Sequence, residues 1–362
     1  MDYTQQIEEI LDKIYDLPNS DAKVALLEEA IRIADSQSDI EQAFWLRKDL
    51  IDAATFSGNK LKALIHFTWC VTQVDKYAEV EKYNFTEEDI LWEYKWVLDN
   101  VAAYPTISKQ KIYELLEDMK RRYTKNGYNL RPYYKLYCNI SMEMGEKEKA
   151  IHYYELMQKE KPDFNSDCKA CDKNFEVDYY IFLKEYEKAI STAKPILDGK
   201  MKCAEIPHFT YSYLLFPLHT LGKHEEAMEI QQKGYRLISQ SKEFVLALSR
   251  HIFFLSLVDV KKSLTIFKKH FLWGYETLQI SNKFFYYLSS LVMLKKLSQE
   301  NTKTITMQFP EIFSLYNENG KYEVATLINW FEQEVQTLAQ AFDERNETEY
   351  YKKTIQEYLQ YV

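Results

Sequence analysis

Glycine and proline each occur only 8 times in 362 residues, far below their average usage of about 7% and 5%. The turn chemistry that many short strands need is therefore missing, which argues against an all-β fold and fits long helices. Excess positive charge is missing too. The formal net charge is −9, whereas phosphate backbones are gripped by clustered Lys and Arg. The best basic cluster, Lys120, Arg121, Arg122 and Lys125, falls at the end of a predicted helix, where cations complement the dipole and stay solvated. No nucleic-acid partner is expected. No apolar run approaches the ~18 residues of a membrane span. The strongest, Ile252 to Val260, is broken by Ser256 and Asp259, so no membrane partner is expected either. The opening Met1-Asp2-Tyr3-Thr4 has neither the basic start nor the apolar core of a secretory signal, which points to the cytoplasm.

What the chain does have is core material: 46% hydrophobic residues, with 29 tyrosines and 20 phenylalanines. It also has an internal repeat. Residues 145–162 place a glycine at 145, alanine at 150, tyrosine at 154 and proline at 162. Each has a steric reason: Gly145 permits a tight turn, Ala150 lets two helices approach, Tyr154 fills the gap one turn on, and Pro162 stops the helix. The pattern recurs at Gly58/Ala63/Phe67, Tyr186/Ala189/Ala193, Gly222/Ala227 and Gly320/Tyr322/Ala325, with a degenerate copy at Ser263/Phe267. This resembles the second helix of a tetratricopeptide repeat, although the spacing of 39, 38 and 36 residues between positions 150, 189, 227 and 263 exceeds the usual 34.

The resemblance implies an all-α solenoid, a right-handed superhelix of antiparallel helix pairs, roughly eight or nine in number and without strands. One body is expected over residues 1–362: N-terminal helices as a cap over 1–36, degenerate pairs over 37–340, and a capping helix over 341–362. Within it, Asn19/Ser20/Asp21 opens a helix, Asp89 to Tyr104 reads as another, and Ser108 caps a third. Residues 270–315 fit the repeat poorly. Glu334 to Val362 reads as polar helices with Tyr350, Tyr351 and Tyr358 on one side.

Phosphate-cradling glycine loops, His-Glu-x-x-His helices, nucleophile elbows and calcium loops are absent from the sequence, and no catalytic residue is expected. Paired carboxylates such as Glu28-Glu29 and Glu225-Glu226 read as solvated helix faces. One cluster stands out: Cys168-Lys169-Ala170-Cys171, then Cys203 and His208 across Pro207. Both fall in connections between helix pairs, and successive connections of a solenoid emerge on one edge about a repeat apart. Cys168, Cys171, Cys203 and His208 thus make a candidate Cys₃His structural zinc site. Two other readings stay open: a redox Cys-x-x-Cys, and inert packed thiols with His208 as a helix cap. Cys70 and Cys138, beside Trp69 and Tyr137, read as core. The run Cys-x-Ala-Cys … Cys-x-Glu-x-Pro is similar to that of a bacterial group of tetratricopeptide proteins, a likeness that carries no activity with it.

In this family the first helix of each pair lines a concave groove. Counting back from the anchor alanines places Lys48 and Asp52, Lys135 and Asn139, Asn174 and Asp178, and Ser212 and His219 there. Lys135 with Asn139 resembles the pair by which family members grip a peptide carboxylate. The alternative is that these residues satisfy one another, Lys48 with Asp52 for example. The expected function is a protein-protein interaction scaffold that binds a peptide or protein in the groove. A peptide-responsive regulator, a toxin-neutralising binding protein and a metal- or thiol-dependent redox enzyme are the other readings.

Overall fold

The computed structural model describes residues 2–77, 80 and 82–362. They form two compact units, one drawn from the described residues within 1–102, 107–140 and 148–166, the other of residues 103–106, 141–147 and 167–362. Both are built of α-helices, and within each, consecutive helix pairs pack against one another as in an all-α repeat solenoid.

The first unit comprises α1 (Tyr3–Ile14), α2 (Asp21–Ser36), α3 (Ile40–Phe56), α4 (Lys60–Tyr77), the short α5 (Glu88–Leu91) and α6 (Glu93–Leu98), α7 (Lys109–Lys125), most of α8 (Arg131–Glu143) and most of α9 (Lys147–Lys159). The predicted caps are in place: Ser20 accepts from Lys23 N at 3.3 Å and Ser108 from Lys111 N at 3.2 Å. The helix expected over Asp89 to Tyr104 is instead split at Trp92 and finishes as a 3₁₀ turn at Val101–Ala103. Two polar side chains of α6 turn inward there, Glu93 to Lys48 and Lys95 to the Asn165 carbonyl at 3.0 Å.

Arg122 also differs from expectation. Its neighbours Lys120, Arg121 and Lys125 are solvated at the end of α7, but the Arg122 side chain is 1% exposed. Its guanidinium donates to Asp75 at 2.7 Å, Glu87 at 2.8 Å and Asp118 at 2.9 Å, and Tyr94 donates to Asp118. A basic run at a helix end hides this because only every third or fourth residue faces inward.

The second unit comprises α10 (Lys169–Phe182), α11 (Tyr186–Leu197), α12 (His208–Thr220), α13 (His224–Ile238), α14 (Val245–Val258), α15 (Val260–Glu276), α16 (Ile280–Gln299), the hairpin β1 (Thr304–Thr306) and β2 (Lys321–Glu323), α17 (Val324–Asn346) and α18 (Tyr350–Leu359). The first helices of successive pairs, α10, α12, α14 and α16, touch their neighbours in turn and make one layer.

One turn device ends helices in both units. A residue in the left-handed region is followed five positions later by a buried alanine: Ser38/Ala43, Gly58/Ala63, Gly145/Ala150, Lys184/Ala189 and Gly222/Ala227. The residue after each turn donates back five positions, as Glu146 N does to Ser141 O at 2.8 Å and Glu185 N to Tyr180 O at 2.8 Å. Such a bond closes a helix C-terminus. Lys184 (φ 62°) thus occupies the glycine position of the copy that began, in sequence, at Tyr186.

The copy at Gly320/Tyr322/Ala325 is a different structure, and the chain is not free of strands. Gly320 precedes β2, which pairs antiparallel with β1 in the register Ile305↔Tyr322, and Ala325 is exposed. Phe309 and Phe313, from the loop between the strands, pack on Phe271 with ring centroids at 4.5 and 5.1 Å. Tyr322 supplies the core contact there, which is why alanine is not needed for helix approach.

The core of this unit encloses two histidines. His251 and His270 are 0% and 1% exposed. Gln231 Nε2 lies 3.4 Å from His251, and Tyr235 Oη 3.0 Å from His270. Burial lowers His251 to about 3; burial, aided by Lys269, lowers His270 to about 4. Unfolded, both take a proton below pH ~6.5. Their neutral forms therefore favour the fold fully above that pH, and the contribution is lost as pH falls from about 6.5 towards 4. Each proton steepens the loss by about 1.4 kcal/mol per pH unit. Urea unfolding at pH 7.5, 6 and 5 should show falling stability, with a shallower fall for His251→Gln; a flat profile contradicts the assignment.

Candidate metal centre

Two connections of the second unit bring the thiols together. Cys168 is the N-cap of α10, its backbone extended (φ −67°, ψ 157°) and its carbonyl accepting from Asp172 N at 3.0 Å. One turn into the helix, Cys171 faces the same end. The second connection leaves α11 through Gly199 (φ 72°) and folds back on itself at Cys203: Cys203 N donates to Ile206 O at 3.1 Å and Ile206 N to Cys203 O at 3.3 Å. The Ile206–Pro207 peptide is cis, and α12 starts at His208.

Between the connections lies a small apolar cluster of Ala170, Ile196 and Ile206, with Cys171 and Met201 packed against it. It fixes the spacing of the two loops, and above it the three sulfurs lie within 4.8 Å of one another. Cys171 is half-buried, whereas Cys168 and Cys203 are exposed. A tetrahedral ion with Zn–S bonds of about 2.3 Å sets its sulfurs about 3.8 Å apart, so a contraction of an ångström or less closes the set.

The electrostatics divide the pair. Burial opposes charge on Cys168, but hydrogen bonds from the Cys171 and Ala170 backbone N–H groups and from the Cys171 and Cys203 thiols outweigh it and lower its pKa. Burial and the charge of Cys168 raise Cys171. The thiol whose proton is held less firmly is the natural first ligand, and binding draws the other protons off. Burial pushes Cys70 up to about 12, as expected of an inert core thiol.

His208 lies outside the three-sulfur group. Its ring stacks on Phe244 (centroids 5.1 Å, 5° between planes), and its Nδ1 is enclosed without a hydrogen-bond partner. Burial lowers its pKa, against Glu205.

The residues predicted for the groove are engaged within their own units. Lys48 pairs with Glu93 and the Asp89 carbonyl rather than with Asp52, which accepts from Asn19 at 3.4 Å. Asn139 donates to Asp99 at 3.1 Å, while Lys135 is half-buried on the same helix. Asn174 accepts from Thr210 at 2.7 Å, Asp178 faces Arg250 at 3.8 Å, and Ser212 donates to the Phe209 carbonyl at 2.8 Å. His219 lies beside His224 and Phe254. Most of these pairs join successive helix pairs, the arrangement in which inner-face polar groups satisfy one another. Arg250 and Tyr213 belong to the same face, the guanidinium 4.1 Å over the ring. Arg250 escapes the register count because the copy that follows α14, at Ser263/Phe267, has no anchor alanine, and Tyr213 adjoins Ser212 on α12. Neither protein-family models nor curated proteins match the chain.

Proposed function

We propose that the chain is a non-catalytic, cytoplasmic helical-repeat protein of tetratricopeptide type that holds a protein or peptide partner, with zinc at Cys168, Cys171 and Cys203 as a structural clip. The observation that carries this reading is the convergence of three thiols from two successive connections onto one apolar floor, Ala170, Ile196 and Ile206. The feature serves the shape of a repeat stack. Zinc bound there supplies a cross-link between the start of α10 and the loop before α12. Cys171 anchors it from below, and Cys168 and Cys203 close it from the solvent side. With His208 stacked on Phe244, Cys168, Cys171 and Cys203 would hold the ion, and any fourth ligand would come from outside this group.

The partner reading is supported by polar and aromatic side chains repeated on the first helices, among them Lys135 and Asn139 on α8 and Asp178, Tyr213 and Arg250 on α10, α12 and α14. Such side chains give a repeat surface its specificity. Affinity capture from the native cell with wild-type and Lys135→Glu chains tests it. Loss of a captured protein from the variant, with the fold intact by circular dichroism, is the expected result. An unchanged set of partners contradicts it.

A further inference from the structure

The three thiols differ in what they tie together. Cys168 and Cys171 belong to one turn at the start of α10, and Cys203 alone comes from the loop before α12. A metal cross-link between the two connections therefore needs ligands from both sides at once, two from the helix and one from the loop. Joining the two thiols of α10 to each other withdraws two of the three ligands. Cys203 is then left by itself, and a single thiol does not make a structural zinc site.

The geometry favours that bond. Cys168 is the N-cap and Cys171 the third residue of α10. Residues three apart at a helix start have Cα atoms about 5 Å apart, inside the range of about 4.4–6.8 Å that a disulfide spans. Their sulfurs already lie within 4.8 Å of each other. Cys168 is exposed, so an oxidant reaches it, and the half-buried Cys171 stands beside it, the placement in which an oxidised cysteine is resolved to a disulfide. Cys203 is the poorer partner. Two backbone hydrogen bonds with Ile206, at 3.1 and 3.3 Å, pin its loop, and Ile206 is itself held in the apolar floor with Ala170 and Ile196. A Cys168–Cys203 bond would draw on that pinned loop, whereas a Cys168–Cys171 bond is made within one helical turn.

We propose that Cys168 and Cys171 are a peroxide-oxidisable dithiol, and that the disulfide between them opens the zinc clip. The inference rests on the reading of the three thiols as that clip. The Cys168 sulfur attacks one oxygen of hydrogen peroxide, the O–O bond breaks, and the other oxygen leaves as water. The Cys171 sulfur then attacks the sulfenic Cys168, forming the S–S bond and expelling the second oxygen as water. Cys168 and Cys171 give up two electrons, and the peroxide takes these with two protons, from the thiols or from solvent. A dithiol reductant reverses the bond through a mixed disulfide. The loop before α12 is thus tied to α10 in a reducing medium and released in an oxidising one.

The test treats the zinc-loaded full-length chain with a slight excess of hydrogen peroxide and then with a maleimide. The chain should lose nearly all its zinc to a colorimetric chelator, show a Cys168–Cys171 disulfide in its peptide map, and carry maleimide on Cys203 but on neither other thiol of the group. Dithiothreitol should restore zinc binding. Amides of residues 199–206 should exchange at least tenfold faster after oxidation, with those of α12 unchanged. Cys203→Ser should form the same disulfide, and the wild-type map decides the matter if that variant does not fold. A Cys168–Cys203 or intermolecular disulfide, sulfinic acid in place of a disulfide, zinc retained under peroxide, or loop amides that exchange no faster overturns the inference and leaves the clip standing. A chain that takes up no zinc before oxidation overturns the clip and the inference with it.

Discussion

Replacing Arg122 with methionine should cost the protein about 3–5 kcal/mol, the usual penalty for removing one side of a buried charge network. Asp75, Glu87 and Asp118 then face one another without the cation that all three contact. Burial raises Glu87, but hydrogen bonds from Asn126 and Lys125 and the charge of Arg122 win and hold it low; Asp118 is lowered likewise by Tyr94 and Arg122. Carboxyls lowered on folding stabilise above their unfolded pKa, near 4, and stop doing so as pH falls through the folded value. The deficit of Arg122→Met should therefore be full at pH 7 and shrink below pH 4. Urea unfolding of both chains at the two pH values measures it, with Arg121→Met, whose side chain is 56% exposed, as a control that should stay within about 0.5 kcal/mol. A loss under about 1 kcal/mol at pH 7 contradicts the network's role.

Gly145→Ala and Gly222→Ala should differ sharply although both glycines sit in the left-handed region, at φ 74° and 72°. An alanine at Gly222 meets nothing within 4 Å, so only the backbone penalty of about 1–2 kcal/mol applies. At Gly145 the new Cβ would lie 2.4 Å from the Cβ of Tyr350. A Cβ cannot swing away as a side-chain tip does, so α18 must shift, for about 1–3 kcal/mol more. Equal losses in parallel unfolding curves would show that α18 does not bear on that turn.

The turn at Gly145 also shows how far the sequence could be read. Its glycine and the alanine five places on were legible because tight helix approach leaves few residue choices, and the same pair marked Gly58/Ala63 and Gly222/Ala227. Lys184 hid the third copy's turn, since a left-handed lysine has no compositional signature. Gly320 misled for the converse reason: a positive φ serves a hairpin as well as a helix end. Cys168, Cys171 and Cys203 were legible as a group because successive connections share an edge, and that placed the sulfurs together. His208 joined them only by proximity in sequence, and the stack on Phe244, a residue 36 positions away, was not visible. Nothing local marks α18 as lying on α10 to α16 either, because its tyrosines suit any apolar face.

The most direct measurement is metal content by elemental analysis of the chain purified without added metal or chelator, beside Cys171→Ser. The clip predicts close to one zinc per wild-type chain, far less in the variant, and a lower unfolding temperature for the variant than for Cys70→Ser. Wild-type protein free of zinc that takes none up on titration, with Cys171→Ser equally stable, would contradict it.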